Sequence, residues 1–298
     1  MHTTFVILHY LTEDDTIECI DSIQKNIISK DYNIVVVDNA SPNGTGEKLF
    51  SIFENDPRVE VILSKENLGF AKGNNLGFQK AKYDYHANFI ILLNNDTYIE
   101  QTDFLDVMIK KYQSEAFAVL GPDIISTIDG AHQNPEKISH QTKSKVILKI
   151  INLTVLFIFD YFNLSKISNK LKKISNQLKD KTELGESQLN EKKLAIGEDL
   201  VDVKLHGSCL IFSKKYIENF NGLFDKTFMY GEEEILYYIC QRKNLKMLYS
   251  PAITIFHKEE SSTNTYFSND SRKTIVFRYK NYVKSRWHLL VLMIKKNI

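Results

Sequence analysis

Polar side chains that could do chemistry gather at the ends of four apolar runs. His9 and Tyr10 follow the run Thr4–Leu8, and Asp38 and Asn39 follow Asn33–Val37. Asn67-Leu-Gly-Phe comes after Val59–Leu63, and Asn94-Asn95-Asp96 closes Phe89–Leu93. Asn and Asp favour turns in any protein, but four successive run ends of this kind describe a rim. Asp38, presented by three valines, can accept a hydrogen bond from the N3–H of a uracil or thymine ring. In Asn67–Asn75, Gly69 and Gly73 permit close backbone approach while Asn67, Asn74 and Asn75 offer uncharged donors and acceptors. No GxGxxG follows the first run, so this is not a dinucleotide fingerprint. Asp96 is one hard oxygen ligand, the kind that suits Mg²⁺ or Mn²⁺ shared with substrate phosphates.

A second group lies further on. Gly207-Ser-Cys-Leu-Ile-Phe212 reads as a strand entered through a tight turn. Phe228-Met-Tyr-Gly-Glu232-Glu233-Glu234 then opens a helix through Ile235, Leu236, Ile239 and Cys240. Three glutamates at a helix start complement the helix dipole. Their mutual repulsion also raises at least one pKa, a property useful in a general base. His257, after Thr254-Ile-Phe256, fits a metal ligand or a satisfied polar residue at a strand end.

The elements that must hold these residues alternate. The apolar runs, with Phe117–Leu120, read as strands. Asp14–Ile28, Gly46–Phe53, Gly69–Ala81 and Phe104–Tyr112 read as helices, the first with Thr12 and Asp15 as a capping start. This alternation predicts an α/β fold with a mostly parallel sheet and helices on both faces. Ligands in such sheets bind at the carboxyl ends of the strands.

Two segments have a different character. Lys143 to Lys181 holds nine Lys against two Asp around VILKIINLTVLFIFDYFNL. Its internal charges argue against a membrane span, leaving a basic amphipathic insertion on a membrane or partner, or a helical subdomain packed on the core. Lys179 to Lys193 reads as a polar loop. From Arg272 to Ile298 there are eight Lys or Arg and no acid, with Ile275, Tyr279, Val283, Trp287, Leu290 and Ile294 at helical spacing. Such a helix fits an anionic membrane surface, or a terminal helix packed on the domain with its charges solvated.

The motifs VVVDNAS, NLGFAKGNN, NNDTYIE, GSCLIF, FMYGEEE and FHKEESST, in that order, resemble family 2 glycosyltransferases. They resemble in particular the bacterial rhamnosyl- and galactofuranosyltransferases of surface polysaccharide synthesis. The resemblance spans roughly residues 3–265 and implies the GT-A fold, a mixed, mostly parallel Rossmann-like sheet with helices on both faces. To this would be added a helical insertion and a C-terminal amphipathic helix. The implied divisions are a nucleotide-sugar-binding half (1–125), a Lys-rich insertion (140–196), an acceptor and catalytic half (197–265) and a basic tail (266–298). It implies inverting transfer from a UDP- or dTDP-sugar, with Mg²⁺ or Mn²⁺, to a saccharide or polyprenyl-linked acceptor. Tyr10, Asp38 and Asn39 would serve the base; Asn67, Gly69, Phe70 and Gly73, with Asn95, would serve the rest of the donor. Asp96 and His257 would hold the metal, and Glu233 or Glu232 would be the base. The sequence departs from the family where Asn94 replaces the first motif Asp and Ile235 stands at a position often acidic.

Composition sets the outer limits. The 298 residues are 43% hydrophobic and 25% charged, and 38 Lys or Arg nearly cancel 37 Asp or Glu. A formal charge of +1 argues against a nucleic-acid binder working by bulk charge. Cys19, Cys209 and Cys240 lack CxxC spacing, which fits a reducing compartment. The start reads as a strand and not as a signal peptide. The expectation is a cytoplasmic enzyme, peripheral on the inner face of a bacterial membrane, with oligomerisation open. A sugar nucleotidylyltransferase would want a glycine-rich basic loop where HYLTEDD stands. A non-catalytic nucleotide-sugar- or lipid-binding subunit is the rival from another class.

Overall fold

The computed structural model describes residues 1–136, 142–162, 164, 197–259 and 271–295. Much of the Lys-rich insertion, the polar loop at Lys179–Lys193 and the Ser261–Thr263 motif lie outside them. In chain order the elements begin β1 (Thr3–His9), α1 (Glu13–Asn26), β2 (Tyr32–Asp38), α2 (Thr45–Phe53), β3 (Val59–Leu63) and α3 (Gly69–Tyr83). Next come β4 (Phe89–Asn94), β5 (Thr97–Tyr98), α4 (Phe104–Glu115), β6 (Val119–Ser126) and α5 (Lys143–Tyr161). The remainder is β7 (Leu200–Val201), β8 (Cys209–Ser213), α6 (Lys214–Ile217), α7 (Glu232–Arg242), β9 (Met247–His257) and α8 (Ser271–Ile294).

Among the described residues nine strands form one sheet in the order β3-β2-β1-β4-β8-β6-β9-β5, with β7 also on β9. β1 pairs in parallel with β2 and β4, β2 with β3, and β6 with β9; β8 runs antiparallel between β4 and β6. The fold is therefore the expected α/β type with a mostly parallel sheet. Alternation along each strand splits the core. Phe5 and Ile7 of β1 join Ile20, Ile23, Leu49 and Phe104 on one face. Val6 joins Phe78, Tyr216, Leu236 and Cys240 on the other. A parallel sheet covered on both faces needs these near-continuous apolar strands.

The capping expectation at Thr12 is corrected. Thr12 is the N-cap residue of α1 but makes no side-chain cap bond. Its hydroxyl instead accepts from Asn95 Nδ2 at 2.7 Å, because β4 delivers Asn95 beside it. The strand expected at Phe117–Leu120 runs on as Val119–Ser126, its later residues supported by pairing with β9.

The tail also differs from its expected stripe. Ile235 and Ile239 of α7, Val146 of α5, and Leu289, Leu290 and Leu292 of α8 share a small third core. On α8 the buried side runs through Asn281, Ser285 and Leu289, whereas Trp287 is 57% and Ile294 62% exposed. The packed face is thus rotated away from Trp287 and Ile294, and Ile235 is explained as the residue that seats α8.

Distant parts of the chain meet at a tight turn. The Phe70 N–H donates to the Phe228 carbonyl at 2.6 Å, and Gly69 sits at φ +77° against that same carbonyl. A Cβ at residue 69 would overlap the Phe228 oxygen. Gly69→Ala should therefore lower stability by about 2 kcal/mol or more, read as a drop in thermal midpoint; an unchanged midpoint would show that the turn is not constrained. Leu289→Ala should cost about 2–3 kcal/mol by urea denaturation, against less than about 0.5 kcal/mol for Trp287→Ala. The reverse order would return the buried role to the Trp287 stripe.

Candidate active site

The carboxyl ends of β1, β2 and β4 open onto a cavity of about 720 Å³, within the range of small-molecule sites. Tyr10, Asn39, Asn67, Gly69 and Phe70 line one side of it. Asn39 is buried and acts as a staple. Its Nδ2 donates to Asn67 Oδ1 (3.1 Å) and Gly69 O (3.2 Å), and its Oδ1 accepts from Leu68 N at 2.8 Å. Asn67 Oδ1 in turn accepts from Gly69 N at 2.9 Å. The amides read in the sequence as ligand contacts thus first hold the turn that shapes the rim.

Asp38 and Gly73 do not line the cavity. Asp38 is buried behind it, accepting from Ser41 N at 3.2 Å, and burial pushes its carboxyl up. Gly73 is needed for packing, since a Cβ there would press on Leu8 Cδ1. Asn74 and Asn75 also turn inward, Asn75 bonding both ways with the Leu223 backbone at 2.7 and 2.8 Å. Asn95 reaches the cavity, but its amide is held by Thr12 and Thr16 hydroxyls.

Asp96 and His257 meet at the floor although 161 positions apart. β5 follows Asp96 directly and pairs antiparallel with the end of β9, Thr97 opposite His257. Asp96 Oδ1 lies 3.3 Å from His257 Nε2, both side chains about 7% exposed. His257 Nδ1 lies 2.8 Å from Gln133 Oε1, an acceptor, so Nδ1 carries the donated proton and Nε2 is the ring atom left to meet an ion. Nε2 makes no hydrogen bond. Two buried acceptors facing each other call for a cation. Among the described residues no third His, Cys, Asp or Glu completes a set. Two protein ligands with phosphate and water oxygens is the habit of Mg²⁺ and suits Mn²⁺, so these residues fit such an ion.

The acidic helix start supplies the opposite chemistry. Glu232 and Glu233 both line the cavity. Burial pushes both carboxyls up, and Glu233 is raised further by the charge of Glu232 and then of Glu136. Glu232 Oε1 is buried without a partner, and the Glu233 carboxylate lies over Gly207, where a Cβ would push Glu233 Oε1 aside. Glu234 is committed elsewhere, taking a bidentate pair from Arg286 at 2.6 and 3.0 Å.

Sequence reasoning missed several cavity residues. His206 stands with its ring 5.8 Å from that of His257, and burial pushes its pKa down to about 4. Lys204 pairs with Glu136. Phe277, Arg278, Tyr282 and Arg286 come from α8. The i, i+4 spacing of Arg278, Tyr282 and Arg286 was visible, but only tertiary packing turns that face inward.

Comparison with known proteins follows the same lines. A profile for glycosyl transferase family 2 matches residues 4–175. Over 101 residues the chain is 34% identical to a poly-beta-1,6-N-acetyl-D-glucosamine synthase of Staphylococcus aureus (strain MSSA476), covering 33% of this chain and 22% of that one. The chain thus spans about a fifth of that relative's length. Over 279 residues it is 22% identical to the low-salt glycan biosynthesis hexosyltransferase Agl10 of Haloferax volcanii, covering 90% and 73%. Among solved structures, S. aureus TarS 1–349 superposes with a TM-score of 0.52 at 13% identity, over 99% of this chain and 76% of that one. GalNAc-T7 with UDP, GalNAc and Mn²⁺ superposes with a TM-score of 0.56 at 13% identity, over 88% and 44%. The sheet is that of the GT-A fold, and with the profile covering more than half of its length the chain belongs to glycosyl transferase family 2.

Proposed function

We propose that the protein transfers a hexosyl or deoxyhexosyl group from a UDP- or dTDP-sugar to a saccharide acceptor, inverting the anomeric carbon. The observation that carries this reading is one cavity holding both the Asp96–His257 pair and the Glu232–Glu233 pair. Mg²⁺ or Mn²⁺ bound at Asp96 and His257 would stabilise the charge developing on the departing nucleoside diphosphate. Tyr10, Asn39 and the Asn67–Phe70 turn would bind the donor along the rim. Asp38 would take the base N3–H only if its carboxylate turns from Ser41.

Glu233 would accept the acceptor hydroxyl proton as that oxygen attacks the anomeric carbon, while the bond to the diphosphate breaks with its electron pair. The transition state would resemble the oxocarbenium ion of glycoside hydrolysis. With both carboxyls raised, Glu232 and Glu233 would share one proton near neutrality and titrate as a pair. The ionised form is the base, so transfer should rise with pH beyond the ordinary carboxylate range.

Association with the cytoplasmic face of a membrane also belongs to this reading. Its support is the outer face of α5, where Ile147, Leu148, Ile151, Val155 and Ile158 are exposed, with the exposed Lys143 and Lys145 at its start. Such a face suits an anionic interface. Among the described residues no helix is long and apolar enough to cross a membrane.

Glu233→Gln should lower transfer by about 10²-fold or more while nucleotide binding survives; near-normal turnover would remove Glu233 from the role of base. Glu232→Gln removes a charge that raises Glu233, so the rising limb of the rate profile should move to lower pH. A limb that stays in place would uncouple the two carboxyls. Leu148→Glu with Ile151→Glu should release the protein from vesicles containing anionic lipid. Unchanged sedimentation would contradict the membrane assignment.

A further inference from the structure

The His206 ring is fixed at one nitrogen and unmet at the other. Its Nδ1 accepts from the Ser208 N–H at 3.2 Å and stands 3.0 Å from the Ser208 hydroxyl. A backbone N–H can only donate, so Nδ1 is the ring's acceptor and the proton lies on Nε2. The backbone around it is anchored as well. The His206 N–H donates to Asn134 Oδ1 at 3.1 Å, and Asn134 Nδ2 donates to the Pro122 carbonyl at 2.7 Å. The Ser208 carbonyl accepts from Asn94 N at 2.9 Å, which ties this turn to the strand end that leads to Asp96. His206 lines the cavity, and among the described residues its Nε2–H meets no acceptor.

Its place is between the two pairs that carry the chemistry. On one side its ring meets that of His257 edge-on, with centroids 5.8 Å apart. On the other, the Glu233 carboxylate lies over the next residue, Gly207. A donor serving the attacking hydroxyl would hinder the reaction, because its hydrogen bond would occupy the lone pair that forms the new bond. A donor serving the leaving group helps. Negative charge gathers on the phosphate oxygens as the glycosyl bond breaks, and an N–H already fixed at that point stabilises it without reorganising.

We propose that His206 is a further catalytic residue, its Nε2–H donating to an oxygen of the departing diphosphate beside the Asp96–His257 pair. This rests on the transferase reading above and adds to it a contact made by the chain itself. The proton stays on Nε2 throughout. The electron pair of the breaking bond goes to the phosphate oxygen, and the proton of the acceptor hydroxyl goes to Glu233.

His206→Asn separates the two nitrogens. Its carboxamide oxygen, two residues before Ser208, can accept the same N–H in an Asx turn, while its amide is too short to reach where Nε2 stood. The probes are UDP and dTDP against UMP and dTMP, titrated by calorimetry at saturating Mn²⁺. The diphosphates should bind the variant about 10-fold more weakly than the unaltered protein, and the monophosphates should bind both alike. Thermal melting checks that the variant folds, and His206→Ala carries the same expectation should it not. Equal weakening of diphosphates and monophosphates would reduce His206 to a structural role and overturn the proposal. So would a preference for diphosphates that is absent from the unaltered protein or undiminished in the variant. Mn²⁺ affinity, read by electron paramagnetic resonance with UMP present, should be the same in both proteins. A drop in the variant would make His206 a metal ligand and equally overturn the proposal. Unaltered protein that binds none of the four nucleotides would overturn the transferase reading and this inference with it. Nucleotide binding indifferent to the loss of the Nε2–H would overturn the inference alone.

Discussion

The contact on which the site depends is the bond from the Phe70 amide to the Phe228 carbonyl, 2.6 Å long, with Gly69 at positive φ beneath it. It joins residues 158 positions apart and sets the 67–70 turn against the loop that leads into α7. On one side, Asn39 and Asn67 fix that turn through their amides. On the other, the 228–231 loop turns through two positive-φ residues to present Glu232 and Glu233. Remove the close approach and the rim residues and the acidic pair lose their common wall.

Burial then decides the chemistry. Asp96 Oδ1 and His257 Nε2 face each other at 3.3 Å in a buried setting with no hydrogen bond made by Nε2, an arrangement that a cation between them would satisfy. Glu232 and Glu233 are raised by the cost of desolvating charge. These pairs share one cavity with opposite tendencies, one attracting positive charge and the other attracting a proton. Arg286, by pairing with Glu234, holds the third glutamate of the helix start apart from the other two. It also ties α8 to the helix that carries the carboxylates.

The first half of the fold was legible because its signals are local. β-branched runs such as Asn33–Val37 alternate with helical periods, and polar residues end each run. Asp96 and the Glu232–Glu233 pair could be singled out for the same reason. The meeting of Asp96 with His257 was implied only by the family resemblance and not by any local signal, because it depends on β5 pairing with β9. The tail shows another limit. Helical spacing identified a stripe through Trp287 and Ile294, yet the helix buries the side holding Asn281, Ser285 and Leu289. Spacing reports that faces exist; the third core, seated on Ile235, decides which one is covered. Asp38 illustrates the converse: its position at a strand end was plain, but the Ser41 amide has turned it behind the cavity wall.

The central claim is that Asp96 and His257 bind a nucleoside diphosphate through a divalent cation. Calorimetric titration of UDP and dTDP with and without Mn²⁺, on the unaltered protein and on Asp96→Ala, tests it most directly. The account predicts binding that strengthens about 10-fold or more with Mn²⁺, and loss of that gain in Asp96→Ala. Nucleotide binding indifferent to Mn²⁺, or a gain that persists without the Asp96 carboxylate, would contradict it.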